Sequence, residues 1–177
     1  MENFIAYNPT KLHFGKNAVS DLGTGAAAYG KHALLVYGGG SVLRNGSYAD
    51  TRKQLEKQGI GITEFNGIKP NPVVDDVMEA ARIGRREAVD MVVAVGGGSV
   101  IDSAKIIAIC IAEDCDAWKV MTRKYEPSRA LPLIAVLTLA ATGTEMNPAA
   151  VLQNHETGQK IGLRHELNYP ALSFLDP

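Results

Sequence analysis

Val92-Val93-Ala94-Val95-Gly96-Gly97-Gly98-Ser99 decides the reading of this chain. The first four residues are apolar and mostly β-branched, as in a strand buried on both faces. Glycines and a serine come next without a spacer, and an apolar run from about Val100 to Cys110 reads as a helix. A strand, a tight turn and a helix N-terminus form a cradle for a phosphate. The first amides of a helix have no intrahelical acceptor, and its dipole is positive at that end. Glycine lets backbone N–H groups approach a diphosphate closely. Gly96, Gly97, Gly98 and Ser99 are therefore the leading candidates to hold linked phosphates.

The same pattern extends outward in both directions. Ala33 to Tyr37 reads as a buried strand ending in Gly38-Gly39-Gly40-Ser41, with a helix over Tyr48–Gln58 and a strand over Ile60–Phe65 after it. Asn71-Pro72 reads as the start of a helix with proline in its first position, running towards Glu87. Leu133 to Leu137 is a further apolar strand. Continuously apolar strands alternating with helices define an α/β, Rossmann-like fold, a parallel sheet covered on both faces. Phe4–Asn8 and Lys11–Phe14 read as a ribbon of short antiparallel N-terminal strands, and a helix from Asn17 or Ser20 runs to Tyr29. After residue 150 the segments Ala150–Gln153, Lys160–Leu163 and Ala171–Leu175 are short strands between polar turns, expected as an antiparallel extension. The stop at Leu175-Asp176-Pro177, with no closing helix, is expected of the front part of a longer protein.

Composition narrows the function. With 177 residues, 46% hydrophobic and 21% charged, the chain suits one nucleotide-binding domain over residues 1–177. A formal net charge of -1 leaves no basic excess for a nucleic acid. No signal peptide or apolar span of membrane length is present, so the expected location is the cytoplasm. Cys110 and Cys115 form no CxxC pair and read as inert thiols. His13, His32, His155 and His165 lack the spacing of a metal site, so no metal ligand is expected in this chain.

Several polar residues stand near the phosphate turn. Asp102 either completes a capping-box-like arrangement with Ser99 or offers its carboxylate to a ligand hydroxyl or amide. Lys105 reads as a helix-flank surface lysine. The turn Gly38, Gly39, Gly40, Ser41 is either a plain tight turn or the far end of the same ligand site. It carries no carboxylate to grip a ribose diol and leaves room for another phosphate, which leans towards NADP(H) over NAD(H). The loop Thr138-Leu139-Ala140-Ala141-Thr142-Gly143-Thr144 comes after the strand over 133–137, where open α/β sheets bind ligands; its hydroxyls at Thr138, Thr142 and Thr144 either face a ligand or cap the next segment. Lys160 is either a solvated lysine or a cation reaching a phosphate or ribose. Gly23-Thr24-Gly25-Ala26-Ala27-Ala28 matches GxGxxA but lacks the preceding strand that the fingerprint requires. Trp118 and Tyr125 read as lid or packing residues.

Three stretches in order carry a resemblance: NPTKLHFGKNAV at 8–19, GGGSVIDSAK at 96–105 and LTLAATGTEMN at 137–147. They resemble the iron-containing alcohol dehydrogenases, in the branch of NADP(H)-dependent butanol dehydrogenases and aldehyde reductases. The resemblance implies that Gly97, Gly98 and Ser99 hold the pyrophosphate and Asp102 borders the nicotinamide. It implies that Thr138 and Thr142 line the nucleotide with Lys160 near its ribose, and that Gly39 and Ser41 accommodate a 2′-phosphate. It further implies hydride transfer between a primary alcohol or aldehyde and the nicotinamide, and a homodimer joined through the N-terminal strands. The metal, Fe2+ or Zn2+, would be held by a second, helical domain, and no catalytic residue is expected among these 177. A polyol dehydrogenase, a dehydroquinate-synthase-like enzyme and a stand-alone nucleotide-binding module are the alternatives.

Overall fold

The computed structural model describes residues 3, 5 and 7–177. Six strands form one parallel sheet: β1 (Lys11–Phe14), β2 (His32–Gly38), β3 (Gly61–Ile68), β4 (Met91–Gly96), β5 (Leu133–Leu137) and β8 (Leu172–Leu175), in the spatial order β1-β8-β5-β4-β2-β3. The apolar runs arise from burial on both faces. Leu34, Val36, Val92, Ala94 and Ala135 face one helical layer; Ala33, Leu35, Val93, Val95 and Ile134 face the other. Each such side chain, fully buried, contributes about 1.5–3 kcal/mol if large.

The first layer contains α4 (Val74–Arg86), α5 (Gly98–Glu113) and α6 (Ala117–Met121); the second contains α1 (Leu22–Ala26), α2 (Ser41–Arg44) and α3 (Ser47–Lys57). α5 is apolar on nearly every side because it lies between β4, α4 and the hairpin of β6 (Ala149–Asn154) and β7 (Gln159–Arg164). The GxGxxA stretch falls in and just after α1, where a Cβ on Gly23 would collide with the Gln54 carbonyl oxygen. Close helix packing is its role in this fold. No described helix is long and apolar enough to cross a membrane.

Several expectations are corrected. The N-terminal strand β1 is not antiparallel; it pairs parallel with β8 at the sheet edge. The segment at 171–175 is likewise a parallel strand between β5 and β1, and only β6–β7 is antiparallel. The β1–β8 pairing joins residues some 160 apart in sequence, such as Lys11 and Leu172, beyond what a local pattern specifies. The helix expected from Asn71-Pro72 begins at Val74 instead. Asn71 has φ 59 and the Pro72 carbonyl accepts from the Gln153 amide at 2.8 Å, so both belong to a loop tied to β6. The helix expected over 17–29 is a 3-10 turn, Ala18–Asp21, and then the short α1. Of the strand expected over 4–8, residues 4 and 6 lie outside the described ones.

Candidate functional site

The chain proceeds from β2 outward to β3, then returns to place β4 on the other side of β2. The crevice beyond the ends of β2 and β4 is thus a topological switch point, where open α/β sheets bind ligands. Gly38–Ser41, Gly96–Ser99 and Thr138–Thr144 leave the ends of β2, β4 and β5, three neighbouring strands.

In the first turn of α5 the amides of Val100 and Ile101 close on the Gly97 carbonyl at 3.1 and 3.2 Å. The amides of Gly98 and Ser99 precede them and have no intrahelical acceptor to reach. Gly97 is extended at φ -87, and no glycine of either triplet has positive φ. Space, rather than a left-handed backbone, is what these glycines provide. A Cβ on Gly98 would lie 3.1 Å from Thr142 Oγ1, and one on Gly96 would lie 2.6 Å from Val100 Cγ2.

A cleft of about 320 Å³ opens there, lined by Asn71, Gly98, Ser99, Asp102, Thr142 and Lys160 among others. Four elements meet at it: the 71–72 loop, the N-terminus of α5, the loop after β5 and the β6–β7 hairpin. Lys160, on β7, donates to Asn71 Oδ1 at 2.6 Å, which places its ammonium at the rim. Thr138 and Leu139 line a neighbouring cleft of about 270 Å³ with Phe14 and Leu175, and Leu139 is 68% exposed. Gly97 lies between the two, since a Cβ there would be 3.7 Å from Leu139 Cβ. Gly38, Gly39, Gly40 and Ser41 line neither cleft, although Gly38 packs close to Val100 Cγ2.

Two readings of polar residues change. Asp102 does not cap α5 with Ser99; it lines the cleft with a carboxylate already engaged by protein donors. Its Oδ1 accepts from Thr144 Oγ1 at 2.6 Å and its Oδ2 from the Val151 amide at 3.1 Å. Burial raises its pKa against the lowering pull of Thr144, Lys105 and Val151. Lys105 is not a surface lysine: it is 1% exposed. Its ammonium donates to Thr144 Oγ1 at 2.7 Å, the Asn147 carbonyl at 2.8 Å and the Ala149 carbonyl at 2.7 Å. Burial pulls its pKa down to about 8, with Asp102 and Glu145 opposing. The signal for Lys105 is present in the sequence, as the one charge in an otherwise apolar helical run from Ser103 to Ala112. Asn71 carries no comparable local signal.

This sheet order, with a glycine-turned helix at the switch point, defines a Rossmann-like α/β domain. The model of the family "Iron-containing alcohol dehydrogenase" matches residues 9–177, and the chain belongs to that family. It is 48% identical over its whole length to the Bacillus subtilis protein named "Probable NADH-dependent butanol dehydrogenase 1", covering 46% of that protein. It is 37% identical to the NADPH-dependent aldehyde reductase of Escherichia coli, again over all of this chain and 46% of the relative. The crystal structure of NADH-dependent butanol dehydrogenase A from Thermotoga maritima superposes with a TM-score of 0.95 at 43% identity, covering 100% of this chain and 45% of that one. The chain therefore spans somewhat less than half the length of these relatives.

The family name implies a metal and the relatives' names a nicotinamide cofactor. For the metal the residues do not fit: among the described residues no group of three or more His, Cys, Asp or Glu side chains comes together. For a dinucleotide they do fit, since the space at Gly98 is one that a side chain would fill and the adjacent amides are donors of the kind a diphosphate needs.

Proposed function

We propose that this chain is the cofactor-binding part of an oxidoreductase that transfers hydride between a primary alcohol or aldehyde and NADP(H), the divalent metal (Fe2+ or Zn2+) being held outside these residues. The observation that carries the reading is the convergence of Gly98, Ser99, Thr142 and Lys160 on one cleft at the N-terminus of α5, the helix that follows β4. In this reading the Gly97–Ser99 backbone holds the pyrophosphate, Thr138, Leu139 and Thr142 border the nucleotide, and Lys160 stands near the ribose. The bound cofactor supplies the hydride chemistry; the chain binds and orients it and screens it from water.

The preference for NADP(H) is supported by the Gly38–Ser41 turn, which presents no carboxylate against a 2′-phosphate. Arg44 folds back over this turn, its Nη1 2.6 Å from where a Cβ of Gly40 would stand, and supplies a cation of the type that accepts a phosphate. The names of the Bacillus and Thermotoga relatives favour NADH as the second reading. Calorimetric titration of the chain with each cofactor separates the two. Tighter binding of NADPH is expected; tighter NADH selects the second reading, and no binding of either contradicts the site.

The same reading includes a homodimer through the N-terminal edge, where β1 is the edge strand of the sheet among the described residues and exposes Leu12 and Phe14. Light scattering with and without residues 1–14 tests it; equal masses contradict it.

A further inference from the structure

Lys105 is among the largest fully buried side chains of the described residues, and its three N–H donors meet three acceptors at 2.7, 2.8 and 2.7 Å. That arrangement fixes the direction of its neighbours. Thr144 Oγ1 spends a lone pair on the ammonium, so its proton goes to Asp102 Oδ1 at 2.6 Å. The Asn147 carbonyl is held by the ammonium, while the Asn147 side chain donates from Nδ2 to the Thr142 carbonyl at 3.3 Å and accepts at Oδ1 from the Ala149 amide at 2.9 Å. Thr142 in turn is the residue that closes over Gly98. One buried cation thus ties α5, the loop after β5 and the start of β6 into a single wall of the cleft.

Charge gives the arrangement a second consequence. Asp102 lines the same cleft as the Gly98 and Ser99 amides, one turn along α5. An uncompensated carboxylate there would repel a diphosphate in a half-buried, low-dielectric setting. We propose that Lys105 is a positioning residue for the cofactor site: through Thr144 and Asn147 it sets Thr142 over the first turn of α5, and it supplies the buried counter-charge that keeps Asp102 from repelling the bound diphosphate. The inference rests on the cofactor reading above.

The test is fluorescence titration of NADPH into the whole chain and its variants, with folding checked by circular dichroism. Lys105→Met keeps the bulk and removes the charge; it is expected to weaken binding about tenfold or more, the scale of a lost charged hydrogen bond. Adding Asp102→Asn in the same chain removes the uncompensated carboxylate and is expected to recover most of that loss, which a purely structural role of Lys105 would not allow. Thr144→Val breaks the link while keeping the ammonium, and serves if Lys105→Met does not fold; it is expected to weaken binding about threefold or more. Wild-type affinity in Lys105→Met contradicts the proposal, as does a double variant no better than the single. If Lys105→Met is unfolded, wild-type affinity in Thr144→Val contradicts it. Failure of the wild-type chain to bind either NADPH or NADH contradicts the cofactor reading instead.

Discussion

The tetrapeptide Gly-Gly-Gly-Ser occurs twice, at 38–41 after β2 and at 96–99 after β4, and the two copies have different fates. The second opens a helix of 16 residues that is buried along most of its length; the first opens a helix of 4 residues at the surface. Glycine is sterically required at Gly96, where a Cβ would lie 2.6 Å from Val100 Cγ2; a Cβ on Gly98 would be tight at 3.1 Å from Thr142 Oγ1, and one on Gly38 in the first copy at 3.3 Å from Val100 Cγ2. In the first copy a Cβ on Gly39 meets nothing within 4 Å, and one on Gly40 meets only the flexible tip of Arg44. An identical local sequence thus acquires its role from the residues next in the chain and from the side chains packed over it. After Ser99 come Val100, Ile101 and Ala104, which bury; after Ser41 only Val42 buries, and Leu43 and Arg44 stay exposed.

The sharpest way to break this contrast is Gly98→Asp. It places a side chain in the cradle and a charge against the diphosphate, a like-charge juxtaposition worth several kcal/mol, so NADPH affinity is expected to fall about a hundredfold or more. Unchanged affinity in a calorimetric titration would move the phosphate site elsewhere.

Next in size is a paired stability measurement. Gly96→Ala forces Cβ to within 2.6 Å of Val100 Cγ2 and is expected to cost about 1–3 kcal/mol through overpacking. Gly39→Ala has open space and no positive φ, and is expected to gain about 0.4–1 kcal/mol by restricting the unfolded chain. Urea unfolding of both variants decides; equal effects would mean that the two turns are equivalent after all.

Ser41→Asp examines the first copy for function. It is expected to weaken NADPH about tenfold more than NADH, the scale of one charge pair near a protein surface. Equal losses would leave this turn without a 2′-phosphate role.

The smallest expected effect lies away from both turns, at the C-terminal end of α5. Glu113 accepts from the Ser128 hydroxyl at 2.6 Å, from Tyr125 and from the Ser128 and Arg129 amides, and these bonds bring its pKa down to about 2. A carboxyl whose folded pKa lies below its ordinary 4.5 stabilises the fold above that pH, and the contribution is lost as pH falls through about 2. Exchange of the Ser128 and Arg129 amides is therefore expected to accelerate between pH 4.5 and 2 beyond the intrinsic trend, and Glu113→Gln is expected to remove the extra dependence. Persistence of that dependence in Glu113→Gln would contradict the assignment.

Local pattern is enough to read the α/β class, β2, β4, β5 and the glycine turn after β4, because each strand is an apolar run bounded by polar or glycine-rich turns. It fails where the partner is remote. β1 and β8 are each 4 residues long, and only their pairing across the whole chain makes them parallel strands of the main sheet. Asn71-Pro72 has the composition of a helix start, yet the Gln153 amide and Lys160 claim its polar groups. α6 is too short for an apolar period to show; its cue is Asp116, whose side chain accepts from the Lys119 amide at 2.8 Å. The position of Asp102 beside the cleft is legible from its place on α5, but its occupation by Thr144 and Val151 depends on a loop 42 residues away. A lysine inside an apolar helix looks like a flank position until its acceptors are known.

The account stands on the first-turn amides of α5, and the most direct measurement is a map of backbone amide shifts in 15N-labelled protein titrated with NADPH. The largest shifts are predicted at Gly97, Gly98 and Ser99, with smaller ones at Thr142 and none at the far-side α1 residues. Shifts concentrated elsewhere, with Gly97–Ser99 unmoved at saturation, would contradict it.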